Sequence, residues 1–83
     1  MKKWFIILLM VLVSPLYAAP VNINVASAKD ISKSLNGVGK VRAQAIVEYR
    51  EKNGEFKTVE DVLNVKGINQ KILEKNRQDI LIK

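Results

Sequence analysis

The stretch Leu35-Asn36-Gly37-Val38-Gly39-Lys40 returns thirty positions later as Val65-Lys66-Gly67-Ile68-Asn69-Gln70. A short capped segment precedes each copy, with Ser27 followed by Asp30 in the first and Thr58 by Asp61 in the second. From cap to first glycine the chain runs ten residues in one copy and nine in the other. A patterned helical segment follows each turn. Two successive units of helix, glycine turn and helix predict an all-α, pseudo-twofold bundle. In it Val38 and Ile68 tuck inward and both turns lie along one edge, the candidate site.

Outward from the turns, the first helix is expected over about residues 28–35, with Ile31 and Leu35 on one face and Asn36-Gly37 as its stop. The second runs from about Lys40 to Asn53, with Val41, Ala45, Ile46 and Tyr49 as its apolar side, Glu48 and Lys52 spaced for an ion pair, and Gly54 ending it. Val59, Val62, Leu63 and Val65 pattern the third. The last starts near Asn69 or Gln70 and continues through Ile72, Leu73, Ile80 and Leu81; Asn76 falls where that stripe calls for an aliphatic. Val21-Asn22-Ile23-Asn24-Val25 alternates, but five residues with no partner strand in view predict an extended lead-in rather than a sheet. Tyr49 and Phe56 read as packing residues, with Phe56 folding the connection back over the second helix. Glu48, Glu51 and Glu55 read as a solvated acidic face.

The chain opens differently. Lys2-Lys3, an apolar run from Trp4 to Val13 and then Ser14-Pro15-Leu16-Tyr17-Ala18-Ala19 have the form of a secretory signal peptide. A ten-residue apolar run falls short of the about 20 needed to span a bilayer. Cleavage is expected after Ala18, with Ala19 second because it would leave Pro20 at the new terminus. The divisions are therefore 1–18 signal peptide, 19–26 lead-in and 27–83 helical domain, with no membrane anchor after cleavage. Removal of Lys2 and Lys3 leaves 12 basic and 8 acidic side chains, still net positive, which favours a polyanionic partner. The sequence holds neither cysteine nor histidine, which excludes disulfides, thiolate or imidazole metal sites and Cys-His or Ser-His chemistry. With no carboxylate pair near a plausible pocket either, the chain reads as a non-enzyme with no cofactor.

Glycines let another molecule approach the main chain of Gly37-Val38-Gly39, and a helix begins at once behind them. Its first N–H groups lack internal acceptors and carry the positive end of the helix dipole, a seat for phosphate. Lys40 and Arg42 stand in that first turn, where positive charge opposes the dipole unless an anion is shared between them. Lys66, Gly67, Ile68, Asn69, Gln70 and Lys71 repeat the arrangement less well, Asn69 replacing the second glycine and relying on its tolerance of left-handed geometry. Replacing Lys40 and Arg42 is accordingly expected to weaken anion binding more than replacing Lys66 and Lys71.

At these residues the chain resembles the tandem helix-hairpin-helix module of the ComEA family of competence DNA-binding proteins. The likeness is carried by Ile23-Asn24-Val25-Ala26-Ser27, the two turns, and Tyr49 to Phe56 between them, in that order. The resemblance implies sequence-independent binding of double-stranded DNA through phosphates, with the hairpins along the minor groove, and a periplasmic role in retaining incoming DNA during natural transformation. Competence pilus or inner-membrane DNA-channel proteins are the partners it implies, and a monovalent cation on hairpin carbonyls belongs to the same inheritance. The chain departs from the family in the Val41 that separates Lys40 from Arg42, in Asn69, in Asn76, and in lacking the anchor and linker of longer members. The alternative is a helix-hairpin-helix protein-docking module without DNA binding, which predicts association insensitive to salt.

Overall fold

In the computed structural model, which describes residues 19–83, Ser27 Oγ accepts the Asp30 amide at 3.1 Å and starts α1, Ala28–Ser34. The segment read as a signal peptide lies outside the described residues. Helix α1 ends at Leu35, whose amide donates to Ile31 O. Beyond the turn, α2 spans Lys40–Asn53 and stops at Gly54, whose φ of +90° side chains disfavour. The second copy opens with a 3-10 helix, Val59–Asn64, capped by Thr58 with the Asp61 carboxylate accepting the Thr58 and Lys57 amides. A 3-10 helix rises about 2.0 Å per residue against about 1.5 Å in an α-helix, so the copy that is one residue shorter from cap to glycine covers a similar length. After the second turn, α3 spans Gln70–Asn76 and a 3-10 turn follows at Arg77–Asp79.

The lead-in finds a partner after all. Strand β1 (Val21–Asn22) pairs in parallel with β2 (Ile80–Leu81), Val21 opposite Ile80 and Asn22 opposite Leu81, and the Ile23 amide donates to Leu81 O at 3.0 Å. Ile80 and Leu81 thus leave the last helix rather than extend it. Both Val21 and Ile80 are buried, so the pairing of these two distant segments closes the core and meets their main-chain hydrogen bonds together. No window of sequence shows this, because the partner lies far along the chain.

One core serves both copies. Ile31, Leu35, Val38 and Ile46 from the first meet Val62, Val65, Ile68 and Leu73 from the second. On α2 the inward residues are Ala43 and Ile46, and Val41, expected inside, is 84% exposed. At 100° per residue Val41 is turned about 140° from Ile46, off the face that the Val38 anchor directs inward. Tyr49 and Phe56 stack with centroids 5.3 Å apart, as their reading as packing residues anticipates.

Polar side chains hold the joints. Asn76, where the stripe called for an aliphatic, is 1% exposed: its Oδ1 accepts the Asn36 amide at 2.8 Å, and its Nδ2 donates to Asn36 O and Ile72 O, both at 2.9 Å. Asn24 grips Phe56 in the same two-point manner, and Arg50 Nη1 donates to Ile23 O and Ala26 O, fixing the lead-in on α2. Among the described residues both ion pairs belong to Arg77, to Glu60 at 2.6 Å and Glu74 at 2.7 Å, so Glu48 and Lys52 do not pair. Hydrogen bonds from Arg77 hold the Glu60 and Glu74 carboxyls below the usual range.

Candidate nucleic-acid interface

In each turn the aliphatic residues point in and the glycine bends the chain. Gly37 has φ +79° and Gly67 has φ +93°, the left-handed region open chiefly to glycine, while Val38 and Ile68 are buried. The second position is different from expectation: Gly39 has φ −80° and Asn69 φ −118°, both extended. Neither needs left-handed geometry, so Asn69 preserves the turn without it. Gly39 has nothing within 4 Å of where a Cβ would stand, which leaves the main chain open on its outer side.

The two helix starts offer unequal sets of donors. In α2 the first internal bond is Ala43 N–H to Gly39 O, and the amides of Lys40, Val41 and Arg42 have no acceptor among the described residues. In α3 the Asn69 side chain caps its own helix by accepting the Ile72 amide at 2.9 Å, which leaves Gln70 and Lys71. The Gln70 side chain is turned along the helix, its Nε2 donating to Glu74 at 2.7 Å. The first turn therefore presents more free N–H groups, on a helix of 14 residues against 7.

Lys40, Arg42, Lys66 and Lys71 are all exposed, and none pairs with a carboxylate among the described residues. Both turns meet at Arg42: its Nε donates to Gly67 O at 2.8 Å and its Nη1 approaches Gly37 O at 3.4 Å. Beside it Val41, Ala45, Lys66 and Gly67 line a shallow, open depression between the turns. The structure thus brings Gly37, Arg42, Lys66 and Gly67 of the sequence-derived residues together, while Lys40 stands beside α1 and Gln44. The bridging geometry of Arg42 was not visible in the sequence, where it reads only as charge, nor was the Asn76 clasp that braces the first turn through Asn36. The polar break in an apolar stripe was the signal for the second; no signal marked the first.

A family model described as the helix-hairpin-helix motif matches residues 17–81. The chain belongs to the helix-hairpin-helix family. Among relatives of this helix-hairpin-helix chain, an uncharacterized protein of Haemophilus influenzae is 53% identical over 60 residues, covering 72% of this chain and 54% of that one. ComE operon protein 1 of Bacillus subtilis is 45% identical over 65 residues, 78% of this chain and 31% of its own, in keeping with the ComEA-type resemblance. The endonuclease/exonuclease/phosphatase family domain-containing protein 1 of mouse is 37% identical over 60 residues, 72% of this chain and 10% of that one. The chain spans about half the length of the first of these relatives and less of the others.

Proposed function

We propose that this helix-hairpin-helix chain binds double-stranded DNA without sequence preference, through the phosphate backbone. The observation that carries the reading is the shared edge: two glycine turns, each opening a helix with free amides, set among exposed cations that have no acidic partner among the described residues. Gly37, Val38 and Gly39 supply main-chain contacts and Lys40 and Arg42 charge, with Lys66 to Lys71 as the weaker second seat. Duplex rather than single strand is favoured because the aromatics among the described residues, Tyr49 and Phe56, stack on each other instead of forming a platform for bases. Residues 27–83 form the DNA-binding domain in this reading. The signal-like pattern of residues 1–18 supports export to the periplasm, where the protein retains incoming DNA during natural transformation and meets competence pilus or inner-membrane channel proteins. A mature chain beginning at Ala19 or Pro20 is expected from N-terminal sequencing of the periplasmic fraction; recovery of Met1 there would refute export by cleavage.

Fluorescence anisotropy of a labelled duplex of about 30 base pairs tests the binding. Log affinity is expected to fall linearly with log salt, with a slope of about −0.9 for each phosphate neutralised, and a scrambled duplex is expected to compete equally. Absence of binding at low salt would end the DNA reading and leave protein docking as the function of the same edge.

A further inference from the structure

We propose that Arg42 is a positioning residue that sets the spacing between the two hairpins, so that their phosphate seats engage a duplex as one unit. The inference rests on the DNA-binding reading above and assigns to Arg42 a role other than added charge. Among the described residues no main-chain hydrogen bond joins one turn to the other. The polar link is the Arg42 guanidinium, with Nε on Gly67 O at 2.8 Å and Nη1 near Gly37 O at 3.4 Å. The arginine stem also lies across the second turn, its Cγ 3.4 Å from where a Cβ on Gly67 would stand. A glycine at position 67 is thus required by its φ of +93°, and a Cβ there would meet the arginine stem at ordinary contact distance.

The chemistry suits arginine and not lysine. A guanidinium directs several N–H donors in a rigid plane and can hold two carbonyls whose separation it dictates, whereas an ammonium on a flexible stem is a point charge that follows them. Two carbonyl oxygens also offset the cost of a cation in the first turn of α2, where the dipole opposes it. Val38 and Ile68 hold each turn from within the core and the Asn76 clasp ties Asn36 to α3, while Arg42 is the side chain that reaches the main chain of both turns. Without the bridge both hairpins remain, but their separation is less determined, and the second phosphate contact gains less from the first.

The test compares the protein with its Arg42→Lys variant, which keeps the charge and removes the planar fork. Two readouts are needed: duplex affinity across a salt series, and amide hydrogen exchange in the free protein. Duplex affinity is expected to fall roughly tenfold with the salt slope unchanged. Exchange at Ile68, whose amide donates to Val65 O in the second turn, is expected to quicken, while Gly54 at the far end of α2, bonded to Arg50 O, keeps its rate. Unchanged affinity and unchanged Ile68 exchange would overturn the proposal. A loss of duplex affinity with Ile68 exchange undisturbed would also overturn it, making the guanidinium an ordinary phosphate contact. Faster exchange at Gly54 as well would show a global loss of stability in place of local bracing and count against it. Should the unsubstituted protein bind no duplex, the functional reading fails on that result alone, and the Ile68 exchange still decides whether Arg42 holds the turns together.

Discussion

Replacing Asn76 by leucine sets two readings of one position against each other. By helical period the site calls for an aliphatic, and a leucine there would extend the stripe of α3. In the folded protein the side chain is 1% exposed, and two of its three hydrogen bonds reach the Asn36 main chain in the other copy. The third, to Ile72 O, is a bond within the helix whose loss costs little, because that carbonyl sits in an α-helical ladder. Leaving the Asn36 N–H and C=O without their partner costs about 1–3 kcal/mol for each group, the lower half of that range applying here because water can reach Asn36. Against about 2–4 kcal/mol in all stands a gain of about 2 kcal/mol from burying the leucine. Asn76→Leu is thus expected to lower the unfolding free energy by up to about 2 kcal/mol and Tm by up to roughly 15 °C for a domain of this size. Asn76→Ala, which adds a void, is expected to lose more. Thermal unfolding followed by circular dichroism at 222 nm reads both. A leucine variant more stable than the parent would refute the clasp as the reason for asparagine and restore the simple stripe.

The two glycines of the first turn separate strain from access. Gly37→Ala forces a side chain into φ +79° with open space around it, so about 1–2 kcal/mol of backbone strain is expected in unfolding experiments; no loss would refute the strain. Gly39→Ala, at φ −80°, is expected to shift stability by no more than about 0.5 kcal/mol yet to weaken duplex binding, since the methyl group stands on the open side; unchanged anisotropy titrations would refute close approach there. Asp61 supplies a pH dependence. Its carboxyl is held below the usual range first by the Lys57 amide and then by that of Thr58, so the unfolded chain takes up the proton earlier as pH falls. The stabilisation is complete above the ordinary carboxyl value, about 4, and is lost as pH drops through the lower folded value. Asp61→Asn is expected to flatten the fall in Tm across acid pH, with the remainder left to Glu60 and Glu74; an unaltered acid profile would refute the assignment.

Much of the candidate site is legible before folding because it is built from short-range relations. A cap acts three residues along the chain, a left-handed glycine acts on its own peptide units, and a helix start exposes amides whatever surrounds it. Ser27, Thr58, Gly37 and Gly67 therefore do in the structure what their positions predict, and the repeat of Leu35–Lys40 in Val65–Gln70 brings the two turns to one edge. Asn69 was readable as a tolerated replacement, though for the wrong reason: it serves as a side-chain cap in extended geometry. The sequence by itself thus determined the helical units, their turns and the donors they expose. The tertiary structure alone decided the pairing of Val21–Asn22 with Ile80–Leu81, the outward face of Val41, the Asn76 grip on Asn36 and the reach of Arg42 to Gly67. Those contacts join segments far apart in the chain, and each depends on how the two copies approach across their shared core. Composition and period carry no record of that approach, because a polar or charged side chain is assigned to solvent until a distant main-chain partner is placed beside it.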